Sequence, residues 1–159
     1  MGIKIKVIIP NSSIEFRDSQ IEERKKAAAP GTEVAVVCLT HGPVSIEAAY
    51  DEALAGPYII EEVKRAEKEG FDAMSLDCAM DIVVRASREA VNIPVTSAGE
   101  ASYLLALGLC SKFSVITVLK NTADTIRENI RKYGLESGVS SVRYAHIPVL
   151  DLQDEKKGI

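Results

Sequence analysis

The stretch "EVAVVCL", residues 33–39, is an almost continuous run of apolar and β-branched residues. A strand with one wet face alternates apolar and polar residues, whereas a parallel strand covered on both faces is apolar throughout. Upstream, "IKIKVII", residues 3–9, is also rich in β-branched residues and stops at Pro10-Asn11, a pair typical of turns. The two stretches therefore predict strands of one parallel sheet covered on both faces.

Helical segments separate the apolar stretches along the chain. Ser12 or Ser13 is expected to cap a first helix that runs to about Ala29. A second helical region begins near Ile46 and is expected to be interrupted at Gly56-Pro57 before it resumes. The remaining pattern predicts strands at residues 71–76, 93–97, 112–119 and 141–150, and helices at 81–91, 100–109 and 121–133.

This alternation of strands and helices implies right-handed βαβ units and an α/β fold with a parallel sheet. Ligands of such sheets bind outside the carboxyl ends of the strands. The residues to examine for function are therefore those that follow each strand. They include Asn11 after the first strand, Cys78 and Ala79 after the third, Glu100 after the fourth and Thr117 in the fifth.

Composition and charge exclude several classes of partner. The chain has 159 residues, of which 47% are hydrophobic and 26% charged, and a formal net charge of −4. No basic block or aromatic-interleaved Lys/Arg stripe is present, so neither a nucleic acid nor an anionic membrane surface is expected as a partner. The apolar runs are too short to span a bilayer and the first residues lack a signal-peptide pattern, which predicts a cytoplasmic protein.

The sequence carries no motif for a nucleotide or a metal. Neither GxGxxG nor GxxxxGK[ST] occurs, so the usual phosphate-binding loops are not predicted. The three cysteines are odd in number and lack CxxC or CxxH spacing, which argues against a disulfide framework and a zinc knuckle. No cofactor and no metal are expected.

The stretch "MSLDCAMDIVV", residues 74–84, raises the question of whether Cys78 packs or reacts. A free cysteine is often simply buried. Cys78, however, lies just past a strand and three residues before a predicted helix start at Asp81, where the positive end of a helix dipole favours a thiolate. Asp77 and Asp81 would oppose ionisation, so the residues alone leave its reactivity open. Cys38 and Cys110 are interpreted as structural.

A Cys-His acyl-transfer pair is the other chemistry that the residues allow. The chain has two histidines, His41 and His146. His41 is expected to lie in a solvated turn, "THGP", and His146 to alternate within the last predicted strand. Neither placement favours a catalytic pair.

Five motifs in order carry a resemblance to a known family: "IPNSS", "GPVSIEAAYDEALAGP", "DCAMD", "NIPVTSAGEA" and "KFSVIT". They resemble the Asp/Glu/hydantoin racemase superfamily, and most of all its hydantoin and allantoin racemase branch. The resemblance covers nearly the whole chain. It implies a three-layer αβα fold with two pseudo-symmetric lobes, here residues 1–97 with Cys78 and residues 98–159, and a homo-oligomer.

The resemblance also implies a chemistry. Such enzymes are PLP-independent racemases or epimerases that act without a cofactor at a carbon next to a carbonyl, with one cysteine on each face of a planar intermediate. Carried over, Cys78 matches the first catalytic cysteine, and Asn11 and the Ala79 amide match substrate-binding groups. Thr117 matches a hydroxyl residue of the second lobe. Glu100 also fits the family pattern, and its expected role is to position the site. The implied partner is a small molecule, a hydantoin or a related ureide or amino-acid derivative.

One departure from the family keeps alternatives open. The sequence stops at "DLQDEKKGI", before the strand and "GC" turn that would hold a second catalytic cysteine, so the second lobe is expected to be incomplete. A truncated gene, a fragment and the loss of two-base catalysis would each explain this. The alternatives to a racemase are a one-cysteine decarboxylase or maleate-type isomerase of the same superfamily, and a non-catalytic ligand-binding remnant.

Overall fold

The computed structural model describes residues 2–153, in which six strands alternate with five α-helices. Two short 3-10 helices flank the last strand. Within these residues no helix is both long and apolar enough to cross a membrane. The elements are β1 (Ile3–Ile9), α1 (Ile14–Lys26), β2 (Thr32–Cys38), α2 (Ala49–Lys68), β3 (Ala73–Leu76), α3 (Val84–Ala90), β4 (Val95–Ser97), α4 (Ala98–Leu109), β5 (Phe113–Thr117), α5 (Lys120–Lys132) and β6 (Val139–Tyr144), with 3-10 helices at Glu136–Gly138 and Val149–Gln153.

All strand pairs are parallel, which confirms the predicted α/β class. One sheet has the order β2-β1-β3-β4, and a second sheet pairs β5 with β6. The chain leaves β1 for β2 and later returns to the other side of β1 as β3. The strand order therefore reverses between β1 and β3, and ligands of open parallel sheets bind at the carboxyl ends of strands beside such a reversal.

The core packs α2 against the four-stranded sheet. On α2, Ile59 and Val63 are fully buried, and they cluster with Ile8 of β1 and with Met74 and Leu76 of β3. Strands β1 and β3 lie in the middle of the sheet and supply its buried apolar residues, whereas β2 is an edge strand whose residues are mostly half-buried. A second, smaller cluster joins α4, α5 and the β5-β6 sheet around Tyr103, Ile126 and Ile130.

The predicted interruption at Gly56-Pro57 is wrong, because α2 runs unbroken through both residues. Pro57 lies on the exposed side of the helix, where water can satisfy the carbonyl that its missing N–H leaves free. Gly56 faces inward, and a Cβ there would lie 3.2 Å from the side chain of Val83. Burial of the apolar face of α2 outweighs the two unfavourable helix propensities.

Two other element boundaries differ from the sequence prediction. Helix α3 begins at Val84 rather than at Asp81, because Asp81 and Val83 adopt left-handed backbone conformations with φ of 53° and 47°. The last strand ends at Tyr144, so the prediction that His146 lies in a strand is wrong. His146 has a φ of 62° and precedes the second 3-10 helix.

The two sheets are built from separate parts of the chain. Strands β1 to β4 lie within residues 1–97, and β5 and β6 lie within residues 98–159. The division into two pseudo-symmetric lobes itself stays a prediction. Residue 1 and residues 154–159 of those ranges lie outside the described residues.

We expect the substitution Ile59→Ala to lower the free energy of unfolding by about 2 to 5 kcal/mol, because it leaves a cavity between α2 and the sheet. Leu54→Ala on the same helix is the matched control: Leu54 is exposed, and its truncation should change stability by less than about 0.5 kcal/mol. Urea unfolding of the two variants measures the difference. Equal losses would contradict the assigned core.

Candidate active site

A cavity of about 210 Å³ opens at the carboxyl ends of β1, β3 and β5. Four of the five residues singled out from the sequence lie on its wall: Asn11, Cys78, Ala79 and Thr117. The sheet topology explains this, because the loops after β1 and β3 start side by side and β5 ends opposite them. The full lining is Ile9, Pro10, Asn11, Phe16, Ile46, Asp77, Cys78, Ala79, Met80, Thr117, Val118, Thr122, Val149 and Leu152.

Cys78 is held as a neutral thiol. Its side chain retains some surface on the cavity, but the surrounding protein removes most of the water, and this burial raises the pKa of the thiol to about 12. The backbone N–H of Met80 donates to the sulfur and opposes the rise. The negative charges of Glu52, Asp81 and Asp77 add to it. At neutral pH the group can therefore give a proton but starts without a negative charge.

The helix dipole expected to favour a thiolate is too distant. Helix α3 begins at Val84, and the dipole acts only within about one turn of a helix end. The intervening residues form a turn in which the Asp81 N–H donates to the Cys78 carbonyl at 3.1 Å. Burial, and not the helix, therefore dominates the acidity of Cys78.

Asp77 places a carboxylate on the cavity wall next to Cys78. The guanidinium Nε of Arg24, on α1, donates to the Asp77 carboxylate at 2.8 Å. This ion pair balances the charge of Asp77 within the fold. The Asp77 N–H donates to the carbonyl of Ile8 at 2.9 Å, which extends the β1-β3 pairing to the residue before Cys78.

Asn11 lies on the cavity wall with the oxygen of its side-chain amide engaged within the fold. Its Oδ1 accepts a hydrogen bond from the Ser13 N–H at 3.1 Å, which identifies the oxygen end of the amide. The side chain is buried and lines the cavity, so its Nδ2 is the end available to a ligand carbonyl. Ser13 caps α1 by accepting from Phe16, as predicted from the sequence.

Thr117 presents an acceptor. Its hydroxyl lies 3.1 Å from that of Thr122, and the Thr122 hydroxyl lies 2.7 Å from the carbonyl of Leu119. A hydroxyl has one hydrogen, and Thr122 uses it on the shorter of these two bonds. Thr117 therefore donates to Thr122, which leaves the lone pairs of its own oxygen for an N–H group in the cavity.

Glu100 does not line the cavity. Its carboxylate pairs with Arg88 on α3, and its backbone N–H donates to the buried carboxylate of Asp81. Glu100 is thus placed in the first turn of α4, behind the Cys78 loop. Its assignment to positioning stays a prediction.

The apolar wall of the cavity was not found from the sequence. Phe16 of α1 and Ile46 form part of it, and Val149 and Leu152 of the second 3-10 helix close another side. The Glu47 carboxylate accepts a hydrogen bond from the Val149 N–H at 2.9 Å. Two sequence features could have predicted the short helix that forms this wall. Pro148 interrupts the predicted strand, and Val149 and Leu152 have the three-residue spacing of a 3-10 helix.

The other candidate residues lie elsewhere. His41 is exposed and contacts the ring of Tyr58, with 5.9 Å between ring centroids. Cys38 ends β2, Cys110 is exposed at the end of α4, and neither lines the cavity. Among residues 2–153 no group of three or more His, Cys, Asp and Glu side chains is arranged to hold a metal ion.

Comparison with known proteins relates this arrangement to one family. The family profile described as Asp/Glu/Hydantoin racemase matches residues 5–158. The chain is also 37% identical over 158 residues to the hydantoin racemase of Pseudomonas sp. (strain NS671), covering 99% of this chain and 64% of that protein. The chain belongs to the Asp/Glu/hydantoin racemase family.

Two solved structures agree with the fold. Allantoin racemase from Klebsiella pneumoniae superposes with a TM-score of 0.93 and 31% sequence identity, over 97% of this chain and 63% of that one. Maleate isomerase from Pseudomonas putida S16 shares the fold, with a TM-score of 0.61 and 16% identity over 91% of this chain and 64% of that one. The chain thus spans just under two thirds of the length of these relatives.

The raised pKa of Cys78 predicts slow alkylation. At about pH 8, a thiol with a pKa of about 12 holds roughly a thousandfold less thiolate than an ordinary cysteine, and the thiolate is the reactive form. We expect iodoacetamide to modify exposed Cys110 at least about 100-fold faster than Cys78, as measured by peptide mass spectrometry over time. Comparable rates at the two cysteines would contradict the assigned environment of the thiol.

Proposed function

We propose that this chain acts as a cofactor-independent racemase of a small cyclic ureide of the hydantoin type. Cys78 would transfer a proton at the ring carbon next to a carbonyl. The observation that carries the proposal is the placement of the Cys78 thiol on the wall of a cavity that also offers the Asn11 amide nitrogen and the Thr117 hydroxyl oxygen.

These two polar groups are complementary to a cyclic ureide. Such a ring has carbonyl groups that accept hydrogen bonds and N–H groups that donate them. The Asn11 amide would donate to a ring carbonyl, and the Thr117 oxygen would accept from a ring N–H. The exposed Ala79 lies on the same wall, and we propose that its backbone N–H provides a second donor to the carbonyl oxygen.

The charge of the cavity favours a neutral substrate. Its lining contains one charged side chain, Asp77, which is paired with Arg24, and otherwise consists of apolar or neutral residues. A substrate carboxylate would lack an unpaired cationic partner in this lining and would lose its hydration on entry. Hydantoins carry no such carboxylate, whereas free aspartate and glutamate do.

The protonated thiol defines the role of Cys78 in the resting state. Racemisation breaks the C–H bond on one face of the carbon, leaves its electron pair in an enolate, and forms a new C–H bond on the other face. A neutral Cys78 would supply the second proton and become a thiolate, while a base on the opposite face takes the first. Asn11 and Ala79 would stabilise the negative charge that develops on the carbonyl oxygen between these steps.

Exchange of the substrate C–H with solvent tests this role. We expect the substitution Cys78→Ser to slow deuterium incorporation from D2O at C5 of a 5-substituted hydantoin by at least about 100-fold, because a serine hydroxyl is a far weaker acid than a thiol. Proton NMR follows the loss of the C5 signal. Cys110→Ser is the matched control and should leave the rate unchanged, because Cys110 lies outside the cavity.

Two results would contradict the proposal. The first is full exchange in the Cys78→Ser variant after subtraction of the rate without protein. The second is no exchange in the parent chain with either allantoin or an alkyl-substituted hydantoin. Release of CO2 or cis-trans isomerisation in place of exchange would assign the cavity to a decarboxylase or a maleate-type isomerase.

A further inference from the structure

The loop that carries Cys78 is fastened to the following part of the chain through one carboxylate. Asp81 is buried, and its side chain accepts hydrogen bonds from the Ser97 hydroxyl at 2.5 Å, the Gly99 N–H at 2.9 Å and the Tyr133 hydroxyl at 2.9 Å. The N–H of Glu100 is a fourth donor. These donors come from β4, α4 and the end of α5, so one side chain joins the loop to three elements.

The backbone of the loop requires such an anchor. Asp81 and Val83 have positive φ values of 53° and 47°, a conformation that residues with a Cβ rarely adopt. Strained conformations of this kind persist only where surrounding contacts enforce them. The four donors to the Asp81 carboxylate provide these contacts, and the Asp81 N–H closes the turn on the carbonyl of Cys78.

Gly99 permits the close approach of the loop to α4. A Cβ at Gly99 would lie 2.6 Å from the Ala79 carbonyl oxygen and 2.6 Å from a carboxylate oxygen of Asp81. Any side chain there would push the loop away from the helix. Gly108, in the same helix, has nothing within 4 Å of the corresponding position.

The same contacts orient a peptide group toward the sulfur. The Tyr103 hydroxyl donates to the carbonyl of Ala79 at 3.4 Å, and the Asn129 amide donates to the carbonyl of Met80 at 2.7 Å. In a trans peptide the carbonyl and the following N–H point in opposite directions. Fixing the Ala79 carbonyl against α4 therefore aims the Met80 N–H at the Cys78 sulfur, to which it donates.

We infer that Asp81 and Gly99 are positioning residues that hold the Cys78 loop closed, so that the sulfur stays shielded from water and aligned with the cavity. The inference rests on the proposed role of Cys78 in proton transfer. Both residues act through the loop, and neither lines the cavity. The titratable groups that face the sulfur are Glu52 on α2, Asp77 and Asp81 on the loop, and Tyr103 on α4.

The pH profile of Cys78 alkylation tests this inference. The full chain with Cys38→Ser and Cys110→Ser leaves Cys78 as its single thiol, and the iodoacetamide rate is measured from about pH 7.5 to 10.5. Since burial is the largest cause of the raised pKa, the log rate of this parent should rise linearly with pH throughout. In Gly99→Ala and Asp81→Asn, water should reach the sulfur and lower its pKa by about two units or more, into the measured pH range, so that the log rate levels off toward pH 10.5.

The controls separate positioning from general loss of stability. Gly108→Ala on the same helix and Asp124→Asn, which removes an exposed carboxylate of α5, should keep the linear profile. Ile59→Ala destabilises the core elsewhere. More frequent opening of the structure would raise its rate by a similar factor at every pH without the bend that a lowered thiol pKa produces.

A linear profile in folded Gly99→Ala and Asp81→Asn would overturn the inference. If either variant fails to give a cooperative thermal transition, Tyr133→Phe decides by the same criterion, because it removes a single donor to Asp81 and keeps the ring. Alkylation requires no turnover. A failure of the proposed racemase activity would therefore leave this result unchanged, and the two failures are distinguishable.

Discussion

The parallel pairing of β1 with β3 is the interaction on which the site depends. Their register joins Ile8 to Leu76, and one further hydrogen bond, from the Asp77 N–H to the Ile8 carbonyl, brings the two strand ends together. The residues that follow must then diverge, since β1 and β3 continue into different parts of the chain. Asn11 and Cys78 consequently line the same opening, and the cavity is a result of the strand order.

The environment of Cys78 disfavours the thiolate in two ways: negative charges lie nearby, and the surrounding protein buries the sulfur away from water. Three carboxylates lie near the sulfur and one backbone N–H opposes them, so burial and charge both favour the neutral thiol. A neutral thiol in an apolar cavity suits a proton donor better than a nucleophile that must begin as a thiolate. This distinction is consistent with the racemisation proposed for this chain, in which one group donates a proton while another accepts one.

Much of the fold could be predicted from the sequence, because strands of a parallel sheet are rich in apolar and β-branched residues and β1 ends at the turn residues Pro10-Asn11. That pattern located β1, β2 and β3, and with them Asn11 and Cys78. The positive φ values at Asp81 and Val83 could not be predicted, since the donors that stabilise them, Ser97 and Tyr133, are distant in sequence. The continuity of α2 through Pro57 was missed for a related reason. Local propensity favoured a break, but tertiary burial decided the outcome.

The most direct test of the account is the crystal structure of the chain with a hydantoin that is already planar at C5, such as a 5-alkylidene derivative. The account predicts the ring in the cavity between β1 and β3, with a ring carbonyl on the Asn11 amide nitrogen and C5 within about 3.5 Å of the Cys78 sulfur. Binding outside this cavity, or a ring turned with C5 away from Cys78, would contradict it.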